Sequence, residues 1–329
     1  VVGDRMSLSE SDLHREAAAT GFQAEPLEKV IRLLEALDTL RSHPFLKRKL
    51  VLKGGTALNL FVFDVPRLSV DIDLNYVGAV ERETMLAERP KLEQALLAVC
   101  GRLGLEVKRI PTDHAGGKWR LSYTSVAGRP SQLELDVNFL LRQPLWPVVI
   151  ARSRGLGSIP PVAFPVLDVH ELAAGKLAAL FGRTASRDIY DVHRLFQATE
   201  LEPAKLRLGF VVYGGMNRRD WRSLSVDDVR ADPTDFDRQL IPLLHGALTP
   251  SNERLAEWTQ ELVADCRRSL STILPLADNE LQFLERLNDH GEIVPDLLTD
   301  DADVQHRIRS HPGLRWKVLN VRRHLGLDD

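Results

Sequence analysis

Apolar residues recur every three to four positions at Leu27, Val30, Ile31, Leu34 and Leu37, which predicts a helix with one face turned to a core. Just upstream, Ser9-Glu10-Ser11-Asp12 reads as a helix cap before a helical run from Leu13 to Ala19. The period then changes. Leu50-Val51-Leu52 is a short apolar strand, Ala57 to Phe63 returns to helical spacing, and Val70-Asp71-Ile72-Asp73-Leu74 alternates, predicting a strand over 70–76 with one buried face. A helix over about 81–103 follows, then strands over 106–110, 118–125 and 132–139. Ala115-Gly116-Gly117 and Ala127-Gly128-Arg129-Pro130 supply turn chemistry between these strands, which are expected to extend the same sheet beside the N-terminal helices. Prolines and glycines from about 142 to 165 mark a crossing to a mainly helical second half, with helices over 167–182, 188–198, 203–212, roughly 252–270, 278–290 and 311–325. There is no internal repeat and no low-complexity stretch. The expectation is an α+β chain, with a sheet-bearing unit over 1–160 and a mainly helical unit over 161–329.

Chemistry concentrates between positions 53 and 74. Gly54-Gly55 at a probable helix start lets the backbone approach phosphate oxygens, and Thr56 adds a hydroxyl at the positive end of that helix. Asp71 and Asp73 are two apart on a strand and face the same way. Two carboxylates on one face repel, and the usual remedy is a bound divalent cation, for which magnesium is the natural choice, or a raised pKa on one of them. A lone Asp-x-Asp is more often a solvated edge; the glycine pair and the run Arg67-x-Ser69-x-Asp71-x-Asp73 reverse those odds. Further on, Leu133-Glu134-Leu135-Asp136-Val137-Asn138 alternates and puts Glu134, Asp136 and Asn138 on one face, either a solvent-facing polar strand or the source of a third metal ligand in Asp136. Lys176 stands among Ala-Ala-Gly and Leu-Ala-Ala, where it either snorkels from a core helix or clamps a phosphate as a point charge. Arg187 and Asp191 are one helical turn apart, which alone describes a surface ion pair of little energetic weight.

Taken in order, Gly54-Gly55-Thr56, Arg67-x-Ser69-x-Asp71-Ile72-Asp73-Leu74, Glu171-Leu172-x3-Lys176-Leu177-x-Ala179 and Arg187-Asp188-Ile189-Tyr190-Asp191 resemble the nucleotidyltransferases of the AbiEii/MenT toxin group, within the DNA polymerase β-like superfamily. The motif-bearing resemblance covers roughly residues 50–195. It implies a polymerase β-like nucleotidyltransferase sheet with flanking helices, and a helical C-terminal domain that contributes Lys176 and Asp191 to the site. It implies a toxin of a toxin–antitoxin or phage-defence pair that moves a nucleoside monophosphate from a nucleoside triphosphate to an RNA 3′ end, tRNA acceptor ends being the target where members are understood, so that translation is blocked. The expected roles are catalytic for Asp71, Asp73, Lys176 and Asp191; nucleotide-binding for Gly54, Gly55, Thr56, Arg67, Ser69, Arg187 and Asp188; and magnesium-binding for Asp71, Asp73 and Asp136. A cognate antitoxin protein is the expected partner.

Composition narrows this picture without proving it. At 329 residues and 44% hydrophobic content the chain is long enough for two cored units, and its net charge of -3 argues against a uniform coat of nucleic acid. Any RNA contact must come from local patches. One is offered by the last predicted helix, where Arg315, Trp316, Lys317, Arg322 and Arg323 bring basic groups and a stacking ring; the plain alternative turns Trp316, Val318, Leu319 and Leu325 to the core. Arg218-Arg219 with Arg222 reads as a loop cluster. Cys100 and Cys266 lie in unrelated contexts, arguing against a disulfide framework or a zinc site. His14, His43, His114, His170 and His193 lack metal-ligand spacing. No signal-peptide core precedes Met6, which reads as a natural start, and no apolar run spans a membrane, so a soluble cytoplasmic protein is expected. Three other readings stay open. They are nucleotidylation of a small molecule or protein, as in antibiotic adenylyltransferases, a kinase-like transfer of the γ-phosphate, and a non-catalytic nucleotide- or RNA-binding protein.

Overall fold

The structure, a computed structural model, describes residues 8–110, 116–183 and 185–327. The expectations for Met6, His114 and Ala115 lie outside the described residues. Helix α1 (Glu10–Thr20) is capped as its sequence predicts: Asp12 N–H donates to Ser9 Oγ, Ser9 N–H donates to the Asp12 carboxylate, and Gly21 ends the helix at φ 72. Helix α2 (Ala24–Ser42) buries Leu27, Val30, Leu34 and Leu37. Then come β1 (Leu50–Leu52), a short helix α3 (Gly54–Thr56) continued in a π-helical turn over Ala57–Val62, β2 (Asp71–Tyr76), α4 (Arg82–Arg102), β3 (Glu106–Ile110), β4 (Gly116–Thr124) and β5 (Pro130–Asn138).

Two strands that the spacing of prolines and glycines does not predict, β6 (Val149–Arg152) and β7 (Ala163–Val166), fall in the stretch read above as a crossing. They form an antiparallel pair at one edge of the sheet, with Pro165 inside β7, and β7 runs parallel to β1 through Leu52 and Val166. Too few residues alternate in either strand to show a period of two. The mixed sheet has the order β3-β4-β5-β2-β1-β7-β6. The strands expected to extend it do so.

Ile72, Leu74 and Tyr76 of β2 and Leu133, Leu135 and Val137 of β5 are buried on one face. Each fully buried side chain of this size contributes about 1.5–3 kcal/mol. This anchoring leaves the polar alternates rigidly presented on the opposite face. Helix α5 (Val169–Arg183) packs against α3 and the π-helical turn, and α6 (Ser186–Ala198) and α7 (Pro203–Gly215) pack on α5, with Ala173, Ala174, Leu177, Ile189, Val192 and Phe210 at no exposure. The remaining helices, α8 (Pro233–Asp235), α9 (Leu255–Leu270), α10 (Asp278–His290), α11 (Ala302–Ser310) and α12 (Pro312–Leu325), complete the C-terminal half. Trp316 and Leu319 of α12 are 45% and 58% exposed, so this helix does not turn that face to the core. No described helix is long and apolar enough to cross a membrane, and both cysteines are buried and free.

Candidate active site

Parallel pairing of β2 with β5 sets Asp71 opposite Glu134 and Asp73 opposite Asp136. Adjacent strands lie about 4.8 Å apart, so four carboxylates share one patch of sheet. Lys118 on β4 reaches in to Glu134 at 2.6 Å, and Arg187 on α6 stands 3.8 Å from Asp71. Those two cations do not neutralise the cluster. Burial, and then the charge of Asp73, raises the Asp71 carboxyl above its ordinary range against the pull of Arg187. Burial likewise raises Asp136, with Lys53 pulling it down and Asp73 pushing it up.

Lys53 and Gly54 lead from β1 toward this patch. Gly54 takes φ +74, a conformation that side chains with a Cβ rarely adopt, and a methyl there would collide with Asp73 Oδ2. At Gly55 a Cβ would come within 2.9 Å of Ser69 Oγ and 3.0 Å of Arg67 Nη2. The glycine pair therefore brings the turn against the acidic strand and the Arg67–Ser69 segment. Thr56 does not face a phosphate site: it is wholly buried and donates its hydroxyl to the backbone oxygen of Asp71 at 2.6 Å, tying the helix to β2.

Opposite the carboxylates lies a chain of charges, buried except at Arg183. Arg67 makes a two-pronged contact with Asp191, Nε to Oδ1 at 2.7 Å and Nη2 to Oδ2 at 2.6 Å, while its Nη1 donates to Leu68 O. Lys176 Nζ lies 2.8 Å from Asp191 Oδ2 and 2.9 Å from Asp188 Oδ1. Arg183 closes the far end on Asp188 at 2.6 Å. Burial alone would raise both aspartates; Lys176 and Arg183 hold Asp188 below its ordinary value, and Arg67 and Lys176 hold Asp191 well below the usual carboxylate range. Burial pulls Lys176 down, but Asp191 and Asp188 outweigh it and leave its pKa raised.

The two halves face each other across a cavity of about 350 Å³ lined by Gly55, Arg67, Ser69, Asp71, Asp73, Asp136, Lys176, Arg187 and Asp188, together with Lys118, Glu134 and Arg183. Asp191 is not among the lining residues. Its carboxylate is bonded to Arg67, Lys176 and Asn59 behind the wall, and it does not form a surface pair with Arg187. Sequence reasoning did not assign Lys118, Glu134 and Arg183 to the site. The signals were weak: Arg183 is seven residues after Lys176 and so shares its helix face, and Lys118 alternates with apolar Trp119.

The basic patch of α12 is only partly assembled. Arg315, Trp316 and Leu319 border a separate cavity of about 340 Å³ with Phe139 and Arg142, whereas Lys317 donates to Asn217 O at 3.0 Å and Arg322 packs against Gly291.

For a magnesium ion the donor set is suitable: Asp71, Asp73 and Asp136 offer hard oxygens, and burial, with Asp73 adding to it, disfavours the charged form of Asp71 and Asp136 when no metal cation is beside them. Among the described residues no three such side chains converge as a finished metal cage. Magnesium commonly takes only one or two carboxylates from a protein and the rest from water and substrate phosphates.

A glycine turn, an acidic pair on the adjoining strand and a lysine-bearing helix beside a mixed sheet define a nucleotidyltransferase. The chain belongs to the family of nucleotidyl transferase AbiEii toxins of type IV toxin–antitoxin systems, whose model matches residues 35–286. Among solved structures it is similar to MenT4, the nucleotidyltransferase toxin Rv2826c from Mycobacterium tuberculosis H37Rv, with a TM-score of 0.56 and 21% identity over 97% of this chain and 99% of that one. At that identity the likeness speaks to the fold. No curated protein matches the sequence.

Proposed function

We propose that this toxin transfers a nucleoside monophosphate from a nucleoside triphosphate to the 3′ hydroxyl of an RNA, with the tRNA acceptor end as the target and magnesium as the required ion. The observation that carries this reading is the division of one cavity into an acidic wall of Asp71, Asp73, Glu134 and Asp136 and a cationic wall of Lys176, Arg183 and Arg187. An α-phosphate between the two walls has its metal ligands on one side and its charge partners on the other.

Asp71 and Asp73 would hold magnesium, with Asp136 completing the set. When bound, the ion neutralises charge on phosphoryl oxygens and favours the in-line geometry of displacement. The chain's own groups do the remainder. Gly55 backbone and Ser69 receive phosphate oxygens; Lys176, oriented by Asp191 and Asp188, and Arg187 compensate the charge of the leaving pyrophosphate. Asp136 Oδ accepts the proton of the attacking hydroxyl. Arg67, itself part of the cavity lining, fixes Asp191 behind it. The acceptor is held in part by Arg315 and Trp316 at the open face of α12, where an exposed ring and a guanidinium suit an unpaired base and its phosphate.

The test is incubation of the purified protein with magnesium, each α-labelled nucleotide in turn, and total tRNA, total cell protein or an aminoglycoside. Label on the 3′ end of tRNA is expected, and its loss in Asp73→Asn. Label on protein or drug alone, transfer of γ-label, or activity in Asp73→Asn near the wild-type level would each refute the reading.

A further inference from the structure

The polar face of the sheet does not end at the catalytic cavity. Strand register carries it outward: Lys118 of β4 stands opposite Asp136, Arg120 opposite Glu134, and Lys108 of β3 opposite Arg120. Ser122, Thr124 and Gln132 alternate onto the same face, which runs about 20 Å along β4 from Lys118 to Thr124. Helices α2 and α4 pack on the opposite face, where Arg32 lies over the Tyr123 ring and Arg89 over the Phe139 ring. On the polar face Lys108, Thr124 and Gln132 are exposed, and Arg120 and Ser122 are half-buried.

Two cations here are unspent. Arg120 lies between Glu134 and Lys108 in register, yet Glu134 gives its carboxylate to Lys118 at 2.6 Å, and Arg120 Nε is buried without an acceptor among the described residues. Arg120 and Lys108 therefore face each other as like charges across adjacent strands, an arrangement that a bound anion relieves. The next acid, Glu106, lies a register step further out, beside Ser122. The aromatic residues of β4, Trp119 and Tyr123, turn to the core, so the face offers no ring on which an unpaired base could stack. Guanidinium, ammonium, hydroxyl and amide groups on a strand surface suit instead the phosphates and 2′-hydroxyls of a paired RNA helix, which is recognised by shape and backbone. Direction agrees with this. With the leaving pyrophosphate on the wall of Lys176, Arg183 and Arg187, in-line displacement brings the attacking hydroxyl from the opposite side, over β5 and β4.

We propose that the open face of β3, β4 and β5 supports the paired stem behind the acceptor 3′ end, with Arg120 and Lys108 on its phosphates. This rests on the reading that the site extends an RNA 3′ end. The experiment is steady-state transfer, over a series of salt concentrations, to tRNA and to a single-stranded oligonucleotide of the same 3′ sequence, by wild type, Lys108→Gln and Arg120→Gln. Wild type is expected to have a KM for tRNA about tenfold or more below that for the single strand. Each variant should raise the KM for tRNA about threefold or more and lower its dependence on salt, the slope of log KM against log concentration, by about one. The kcat and the KM values for the nucleotide and the single strand should not move. Lys108→Gln alters an exposed side chain and decides the matter should Arg120→Gln fail to fold. If wild type extends the single strand as readily as tRNA, if both variants keep the wild-type KM and salt slope for tRNA, or if they raise the KM for the single strand equally, the proposal fails while transfer to RNA stands. If wild type labels no RNA 3′ end, both fail.

Discussion

Asp191 sits at the junction of the buried charges, so replacing it with alanine is a direct test of how the site is held. In the native chain three cations, Arg67, Lys176 and Arg183, are matched by two carboxylates, Asp188 and Asp191. Asp191→Ala removes both prongs of the Arg67 contact and one of the two partners of Lys176. Arg67 is 2% exposed and Lys176 6%, so solvent replaces little of what is lost. Breaking a buried pair by deleting one partner costs about 3–5 kcal/mol. Against a total stability of about 5–15 kcal/mol for a protein of ordinary stability, that is a large share. Urea unfolding followed by circular dichroism should show a lower midpoint with an unchanged slope. Asp191→Asn, which keeps an acceptor for Arg67, should lose less. A loss below about 1 kcal/mol, the value for exposed pairs, would mean that solvent reaches the network, and the argument for a positioning role would fail.

Three further outcomes follow from the same geometry. Asp71→Asn removes a carboxylate that its surroundings disfavour, so the variant should unfold at the same or a higher urea concentration than wild type while losing nucleotide transfer; clear destabilisation would contradict the repulsion inferred for the acidic face. Glu171 is raised from 4.5 to about 8 on folding, so its contribution to stability is complete below pH 4.5 and is lost as pH rises toward 8. At about 1.4 kcal/mol per pH unit, the stability of Glu171→Gln relative to wild type should improve by about 3 kcal/mol between pH 4.5 and 7, and a pH-independent difference would refute the assignment. Gly54→Ala forces a Cβ into a left-handed conformation and against Asp73; we expect about 1 kcal/mol or more of lost stability with a much larger loss of transfer, and wild-type turnover would show that the turn does not need glycine.

Local pattern carried much of this. The alternation at 70–74 and 133–138 announced two strands with polar faces, the glycine pair announced a close turn, and Lys176 stood out against its apolar neighbours. Each of these signals lies within a few residues of chain, where period and backbone preference act directly. The pairing that makes one acidic patch of Asp71, Asp73, Glu134 and Asp136 joins stretches about sixty residues apart, and strand register is a tertiary outcome set by which apolar faces pack together. Burial was equally invisible. Thr56 and Arg67 lie in a motif that reads as phosphate-binding, yet the fold turns the threonine onto the Asp71 backbone and commits the arginine to Asp191, because a buried donor must find its acceptor inside the protein. Strands β6 and β7 escaped for the opposite reason, being too short to show a period. The family and the two strands were thus legible in the chain itself, while packing decided which polar side chains face the cavity and which hold its wall.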